Sequence, residues 1–477
     1  MSILGQIGYS GVRATQIALT ATGQNIANVN TPGFSRLAPE QHSLGGQTAS
    51  SIGGGVQVTS IRRLSSDFHN QQLWRAGTDK SYFSTNQQYL TALEGLIDSE
   101  GSSVSVGLDN FFAALSEASS TPESIALRQQ IISEAKQLAQ RFNGLNNNIG
   151  TQLNALKGQR VAMTSEINGL SGNIAELNLQ IREMESTGRD TATLRDYREN
   201  LVKELSQYAG IRVQEAPDGT LDVSLANGQP LVAGITAGQL KINENVAGVQ
   251  EMTLVFAKTT FPLNQDGLGG ALGSLYDMEN GALRPAQQDL HDMAKALSEM
   301  VNTRLTGLSP DGTPVVGQSS GYDLEGNPGK ALFVYNEGST SGMLSVTDLA
   351  PEELAFSSEF DLDVNGDRQG VVGNNQNLLA LLELKSAKVN VAGSEVPLND
   401  AYAGLVGRVA STSRQNQADL SAAQTVSDQA QAQRDSVSAV NLDEEAVNLM
   451  AYEQAYQANM KVISTSNDLF NAVLAMF

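Results

Sequence analysis

Residues 163–184 have the sequence MTSEINGLSGNIAELNLQIREM, the most regular pattern in the chain. Apolar residues recur at alternating spacings of four and three, which places their side chains in one stripe along an α-helix. The stripe consists of Met163, Ile167, Leu170, Ile174, Leu177, Ile181 and Met184. It predicts a long helix whose apolar seam packs against other elements, as in a coiled coil.

The seam also extends towards the N-terminus. Its earlier part consists of Leu127, Ile131, Ala135, Leu138, Phe142, Leu145 and Ile149. We expect the helix to start at Thr121-Pro122-Glu123, because this tripeptide offers a capping hydroxyl, a first-turn proline and an acid at the positive helix end. Thr187-Gly188 should end it, and a shorter helix should follow as far as Gly210. If the helix is continuous over 127–184, it is roughly 87 Å long at about 1.5 Å per residue.

After these helices the pattern changes to that of β-strands. Apolar and polar residues alternate around Pro217-Asp218-Gly219 and Asn227-Gly228, which is typical of hairpins. Further along we predict a helix at 284–306, turn-rich and β-containing chain at 307–373, and helices from Asn374 to the end, the last one starting near Asp443.

The N-terminus is predicted to be a helix that ends at Asn28-Val29-Asn30, because Pro32 disfavours helical geometry at the residue before it. One face of this helix carries Ile3, Ile7, Ala14, Ile17 and Ala21. The Gly/Ser-rich stretch that follows, with Gly53-Gly54-Gly55, predicts extended or mobile connecting chain.

Both ends of the chain are nearly uncharged. Residues 1–60 contain one acid and two bases, and residues 446–477 contain two acids and one base. An apolar stripe runs along the C-terminal helix through Leu449, Tyr456, Met460, Ile463, Phe470 and Leu474, with Phe477 at its end. Since a helix with a large apolar stripe and few charges is poorly solvated, we expect both ends to bury against each other and against neighbouring subunits or a chaperone.

These patterns predict a mainly α fold with a β-rich insertion, in which the terminal helices pair as a coiled coil, long helices form a bundle and the β domain is central. Three domains are expected. They are a terminal helical coiled-coil domain (1–62 plus 441–477), a helical-bundle domain (63–210 plus 276–306 plus 374–440) and a β-rich outer domain (211–275 plus 307–373).

Composition excludes several functions. The formal net charge of −21 argues against nucleic acid as a partner, because phosphates require a basic surface. There is no cysteine, so disulfides and thiolate chemistry are excluded. No apolar run is long enough to insert into a membrane, and MSILGQIGYS at the N-terminus does not resemble a secretory signal peptide.

The sequence contains no recognisable catalytic or metal-binding pattern, so we predict a protein that is not an enzyme and has no cofactor. The three histidines form no metal-binding motif, and His291 is expected to be a solvated surface residue. Residues 361–367 (DLDVNGD) resemble a calcium-binding loop, but Val372 stands where the bidentate Glu is required. We interpret them as an Asx-rich turn.

Two segments resemble the bacterial flagellar rod, hook and hook-associated proteins. Residues 23–34 (GQNIANVNTPGF) contain that family's N-terminal signature, N-[apolar]-A-N-x-x-T-P-G-F, and residues 441–470 resemble its C-terminal helix with the core Tyr456 to Asn459. The signature residues to which the resemblance assigns a role in assembly are Asn25, Ile26, Ala27, Asn28, Thr31, Pro32, Gly33 and Phe34.

Within that family, the stretches at 168–178, 280–302 and 441–445 are similar to the proteins that join hook and filament. The resemblance implies head-to-tail assembly of subunits into this junction. It implies as partners the chain itself, the flagellar hook protein, hook-associated protein 3 and a cytoplasmic export chaperone that binds the C-terminal helix. It also implies an extracellular location on the flagellum, reached without a cleaved signal peptide.

Three alternatives remain open from the sequence. The first is another axial flagellar protein, of the hook or distal rod. The second is a secreted adhesin that uses the central domain, and the third is a cytosolic coiled-coil scaffold. A free subunit of a junction protein is expected to have disordered ends that become ordered on assembly.

Overall fold

The computed structural model describes residues 3–45, 53–99, 101–244, 249–318, 320–339 and 342–476. The protein is 60% helical, with small antiparallel sheets in its central region, and the predicted fold class is confirmed. The helices are α1 Ile3–Ala27, α2 Asp67–Ile97, α3 Val104–Ala118, α4 Ile125–Ser186, α5 Ala192–Tyr208, α6 Gly270–Met278, α7 Arg284–Thr306, α8 Gln376–Glu383, α9 Leu398–Ser438 and α10 Leu442–Leu474. A π-helical turn, Glu279–Leu283, joins α6 to α7.

The strands form antiparallel hairpins and meanders. Two larger sheets have the orders β3-β4-β5-β6 and β7-β8-β9, and the remaining strands pair as β1-β2, β10-β11, β12-β13 and β14-β15. Their bounds are β1 Leu37–Leu44, β2 Gly55–Arg63, β3 Ile211–Glu215, β4 Leu221–Leu225, β5 Pro230–Ala233, β6 Thr236–Ala237, β7 Gln239–Glu244, β8 Gln250–Phe256, β9 Thr259–Pro262, β10 Phe333–Tyr335, β11 Leu344–Val346, β12 Phe360–Leu362, β13 Arg368–Gly370, β14 Lys388–Val391 and β15 Ser394–Pro397.

The long helix α4 is continuous over 62 residues, so both parts of the predicted seam lie on one helix. Its seam is buried: Ile131, Phe142, Ile149, Ile167 and Ile181 are all inaccessible to solvent. The predicted start was wrong by three residues. Thr121–Ser124 is a turn, in which the Ser124 amide donates to the Thr121 carbonyl at 3.0 Å, and Ser124 then accepts the first helical bond from the Arg128 amide at 3.1 Å.

The chain divides into two compact units. Unit 1 comprises Met1–Tyr82, Val161–Gly273 and Ser421–Phe477, and unit 2 comprises Phe83–Arg160 and Ser274–Leu420. The two β-rich segments that we assigned to one outer domain fall in different units. The boundaries of the three predicted domains stay a prediction.

Unit 1 contains the paired helices α1 and α10, the β1–β2 hairpin, the second part of α4, α5 and the sheets β3–β9. The buried residues of its sheets include Val223, Leu231 and Leu254, on faces where apolar and polar residues alternate. Asparagines of α4 attach these sheets to the helix. The side-chain amide of Asn168 donates to the Leu240 carbonyl at 2.9 Å and accepts from the Leu240 amide at 2.7 Å, and Asn178 binds Leu221 in the same manner.

Unit 2 has a helical core to which short hairpins are attached. Phe111 of α3, Phe142 of α4, and Leu290 and Leu297 of α7 are fully buried. Arg128, 2% exposed, lies over the Phe356 ring and donates to backbone carbonyl oxygens that include Leu354 at 2.6 Å. Burial lowers the pKa of Arg128 to about 10.

Four local expectations were wrong or incomplete. The chain on either side of the Gly/Ser-rich stretch pairs as strands β1 and β2, with the Val56 amide donating to Ser10 Oγ at 3.1 Å, while residues 46–52 of the stretch lie outside the described residues. The region after Asn374 is not helical throughout, because the β14–β15 hairpin interrupts it. Helix α3 was not predicted, and the helical segment expected to start at 284 begins with α6, at Gly270.

Candidate functional site

The candidate site is the pair of terminal helices, which lie antiparallel. At one end, Asn25 Nδ2 donates to Glu445 Oε2 at 3.2 Å. Further along, a Cβ on Gly11 would lie 2.5 Å from Asn459 Cγ, and a Cβ on Gly8 would lie 2.9 Å from Ile463 Cγ1. In each of these pairs the two residue numbers add up to about 470. The first turn of α1 therefore lies beside the last turns of α10, at the same end of the helix pair.

The buried face of α1 matches the expected apolar face only in part, since Ala14 and Ala21 are buried but the isoleucines are not. Ile3 is 72% exposed, and Ile7 and Ile17 are only half-buried. The buried residues are mostly small: Gly5, Gly8, Gly11, Ala14, Thr15, Ala18, Ala21, Thr22 and Asn25. Small side chains allow the two helix backbones to approach closely, so this face is defined by size rather than by hydrophobicity.

Helix α10 is covered on one side only. Among its 33 residues, Glu445 and Ser466 alone are buried. Leu449, Tyr456 and Ile463 of the predicted stripe are half-buried in the seam that faces α1. Part of the predicted stripe is therefore covered within the chain itself.

The rest of that stripe is exposed, because α10 extends beyond α1. Ile3 faces approximately residue 467, so the following residues of α10 have no partner from α1. In this overhang Phe470 is 55% and Leu474 is 58% exposed, and Leu469, Val473 and Met476 are also exposed. Met460, on the flank of the pair, is 45% exposed. Phe477 lies outside the described residues.

The first part of the N-terminal signature closes helix α1. Ile26 is half-buried and Ala27 is exposed. Asn28 Nδ2 donates to the Gln24 carbonyl at 2.9 Å, and Asn28 Oδ1 accepts from the Thr31 hydroxyl at 3.1 Å. Asn25 Oδ1 accepts from the Leu37 amide at 2.8 Å and its Nδ2 donates to the Leu37 carbonyl at 3.0 Å, so this side chain holds β1 against α1.

The second part of the signature, residues 32–34, docks onto other elements of unit 1. Gly33 has a φ of +78°, and a Cβ there would collide with the Asn200 side chain. Asn200 Nδ2 donates to the Pro32 carbonyl at 3.3 Å, and Arg434 Nη2 donates to the Gly33 carbonyl at 3.0 Å. Phe34 packs against a buried cluster of Ala21, Leu37 and Ala192. Neither Asn200 nor Arg434 lies in a motif, so no sequence pattern indicated their role.

Charged groups surround this turn. Arg36 donates to Glu445 Oε1 at 2.7 Å and, on the exposed side, to Glu444 Oε2 at 2.7 Å. The Asp196 carboxylate accepts from the Ser35 amide at 3.1 Å and pairs with Arg63 at 3.0 Å. Burial raises the pKa of Asp196, although Arg63 acts in the opposite direction. The turn is thus fixed within the chain from several sides.

Two of the polar residues considered for chemistry, His291 and Asp363, have structural partners. His291 is half-buried, not solvated as expected, and its Nδ1 lies 3.1 Å from the Tyr335 hydroxyl; burial lowers its pKa. Asp363 Oδ1 accepts the amides of Asn365 and Asp367 at 2.7 and 2.9 Å, which is the Asx turn that we predicted. Within the described ranges, no three His, Asp or Glu side chains are grouped so that they could hold a metal ion.

Among the described residues, no helix combines the length and the apolar character that crossing a bilayer requires.

Comparison with known proteins gives consistent matches at both ends and in the helical body. The model of the "Flagellar hook-associated protein FlgK helical domain" matches residues 90–333. The models "Flagella basal body rod protein" and "Flagellar basal body rod FlgEFG protein C-terminal" match residues 6–34 and 431–476.

Whole-chain relatives agree with these matches. The flagellar hook-associated protein 1 of Salmonella typhimurium is 28% identical, with 99% of this chain and 100% of the relative covered. The protein of that name in Bacillus subtilis is 23% identical, over 97% of this chain and 95% of its own. The alignment with the Salmonella protein covers 572 positions, more than the 477 residues here, so that protein has insertions that this chain lacks.

A solved structure confirms the fold. The flagellar hook junction protein FlgK from Burkholderia pseudomallei superposes with a TM-score of 0.66 at 18% sequence identity. The match covers 76% of this chain and 99% of the other.

Proposed function

Since the chain belongs to the flagellar hook-associated protein FlgK family and is a structural axial protein at the hook–filament junction of the bacterial flagellum, we propose that it assembles there through its paired terminal helices. The hook or distal-rod alternative does not account for the helical-domain match over residues 90–333. Its relatives are structural flagellar proteins, and we propose that this chain likewise has no catalytic activity.

One observation carries this proposal: the α1–α10 pair is an apolar surface that a single chain leaves uncovered. α10 buries only two residues, and the overhang exposes Phe470 and Leu474 beyond the end of α1. Contiguous apolar patches on a protein surface are typical of interaction sites. Charges, which would keep such a surface in water, are almost missing from residues 446–477.

The proposed contact is head-to-tail. The overhang lies at one end of the terminal pair and the docked signature turn lies at the other. In the proposed contact the overhang of one subunit meets the opposite end of the terminal pair of the next subunit, so the two surfaces differ. Such heterologous contacts propagate into rings or tubes, whereas isologous contacts close as dimers. We propose that the chain contacts copies of itself, the hook protein on one side and hook-associated protein 3 on the other.

Before assembly the same surface needs protection. We propose that a cytoplasmic export chaperone binds α10, and that the protein reaches the outside of the cell without a cleaved signal peptide. In the free subunit we expect the part of α10 that extends beyond α1 to exchange its amide hydrogens rapidly and to become protected on assembly. Protection of this overhang already in the purified monomer would contradict this part.

The central test replaces exposed apolar residues of the overhang with charges. We expect the double variant Phe470→Asp, Leu474→Asp to be exported but not incorporated, because burying two carboxylates in an apolar contact is strongly unfavourable. Swimming and immunogold labelling of sheared flagella measure the outcome. Val364→Asp is the matched control, since Val364 is fully exposed at the tip of the β12–β13 hairpin.

The two outcomes are clearly separated. Loss of swimming with the overhang variant, together with normal swimming of the control, supports assembly through this surface. Normal labelling at the junction in the overhang variant would contradict it. No observation on the described residues favours an adhesin.

A further inference from the structure

Glu445 is a buried acidic residue of α10, and such nearly complete burial is unusual for a carboxylate. It is 1% exposed and lies in the first turn of the helix. Oε1 accepts from Arg36 Nε at 2.7 Å, and Oε2 accepts from Asn25 Nδ2 at 3.2 Å. A buried charge is tolerated only when it is paired and hydrogen-bonded, and here both carboxylate oxygens have a partner.

The partners of Glu445 come from different segments of unit 1. Asn25 lies in the last turn of α1 and also holds Leu37 of β1. Arg36 lies between the signature, which ends at Phe34, and strand β1, and its backbone amide donates to the Ser438 carbonyl at the end of α9 at 2.9 Å. One carboxylate thus connects the end of α1, the segment that follows the signature and the start of α10.

Further along, the α1–α10 contact consists of small residues of α1 that face larger side chains of α10, such as Asn459 and Ile463. The buried face of α1 repeats small residues at Gly5, Gly8 and Gly11. A face of glycines offers similar grooves at each turn, so sliding by one turn would cost little in packing. In coiled coils, a single buried polar group can specify the register that apolar packing leaves undefined.

We propose that Glu445 is a positioning residue that fixes the register of α10 on α1 and so determines where the overhang with Phe470 and Leu474 stands. This inference rests on the proposed function, because it assigns importance to the position of the overhang. The register of α10 on α1 is a property of one chain, so it can be tested without any assembly.

A matched control is the neighbouring residue. Glu444 also accepts from Arg36 at 2.7 Å, but its side chain is 58% exposed. Exposed ion pairs contribute little to stability, whereas removing one partner of a buried pair leaves an uncompensated charge. Substitution of Glu444 should therefore leave the register unchanged, although it removes a carboxylate from the same arginine.

The experiment uses engineered cysteines in the full chain, which has none of its own. The pair Gly11→Cys with Asn459→Cys reports the observed register, because a Cβ on Gly11 lies 2.5 Å from Asn459 Cγ and a disulfide needs Cβ atoms roughly 3.5–4.5 Å apart. The pair Gly11→Cys with Ala455→Cys reports a shift by about one turn. The ratio of the two disulfide yields under a mild oxidant measures the register.

We expect Glu445→Ala to lower this ratio about tenfold or more, because the buried ion pair is lost, and Glu444→Ala to leave it within about twofold. If the alanine variant fails to fold by circular dichroism, Glu445→Gln takes its place. Glutamine keeps the shape but has one acceptor oxygen for two donors, so its NH2 group must face either Arg36 Nε or Asn25 Nδ2, and it should also lower the ratio. An unchanged ratio in a folded Glu445 variant overturns the proposal.

The readout separates this inference from the proposed function. A Glu445 variant with a changed ratio and lost swimming supports both. A changed ratio with normal swimming supports the role of Glu445 in setting the register and contradicts assembly through the positioned overhang. An unchanged ratio contradicts the role of Glu445, whatever the swimming behaviour.

Discussion

At the scale of single residues, asparagine recurs as the link between helices and β segments. A side-chain amide carries one donor group and one acceptor, so it can pair with both backbone groups of a strand residue as a neighbouring strand would. Asn25 does this with Leu37, Asn143 with Leu344, Asn168 with Leu240 and Asn178 with Leu221. These amide pairs attach the small sheets to the helices, in addition to the burial of apolar residues such as Val223 and Leu254.

The paired hydrogen bonds of Asn168 with Leu240 give a testable expectation. The isosteric change Asn168→Asp removes the donor and places a carboxylate against the Leu240 carbonyl. We expect the free energy of unfolding to fall by about 1–3 kcal/mol, the usual cost of an unsatisfied buried group. Urea denaturation measures it. The control is Asn173→Asp, on the exposed side of the same helix, and an equal loss in both variants would rule out the proposed link.

The same residues show why part of the candidate site could not be predicted. Pro32 and Gly33 are recognisable because a proline and a positive φ leave a mark in the sequence. Asn200 and Arg434, which bind the backbone of this turn, are ordinary helical residues far away in the chain. Their role depends on tertiary contacts that no local pattern contains.

At the scale of elements, strong periodicity was predictive and weak periodicity was not. The seam of α4 repeats over many turns, so its helix and its burial were both evident. The β14–β15 hairpin has strands of four residues between long helices, and its turn places Ala392 at a φ of +53°, where a non-glycine residue is unexpected. Short elements of this kind depend on their surroundings more than on their own sequence.

Helix α1 illustrates a different failure. Its isoleucines suggested the buried face, yet the structure buries its glycines and alanines. Hydrophobicity ranks isoleucine above glycine, whereas close helix packing selects for small side chains. The prediction from hydrophobicity therefore found the helix and two residues of its buried face, Ala14 and Ala21, but it wrongly included the isoleucines.

Close packing at this face leads to opposite expectations for two glycines of one helix. Gly8→Ala should destabilise the α1–α10 pair by about 1–3 kcal/mol, as overpacking does, because its Cβ would meet Ile463 Cγ1 at 2.9 Å. Gly23→Ala should stabilise α1 by roughly 0.5–1 kcal/mol, because no atom lies within 4 Å of its Cβ. Hydrogen exchange of α1 amides measures both, and effects of the same sign would contradict this packing.

At the scale of the whole molecule, charge is separated from the terminal segments. Residues 1–60 and 446–477 together have equal numbers of acids and bases, so the formal net charge of −21 belongs to the chain between them. In an assembly joined through the terminal helices, the bodies of neighbouring subunits repel each other while apolar contacts hold their ends. These two forces respond differently to salt.

Screening should therefore strengthen association of the purified protein. Between about 0.01 and 0.15 M ionic strength the Debye length falls from roughly 30 to 8 Å, which weakens repulsion between the acidic bodies and leaves apolar contacts in place. Sedimentation velocity should show larger species at the higher salt. Phe470→Asp should prevent association under both conditions, because it removes the apolar contact that the salt leaves in place. If association instead weakens as salt is added, ion pairs and not the apolar ends hold the subunits together.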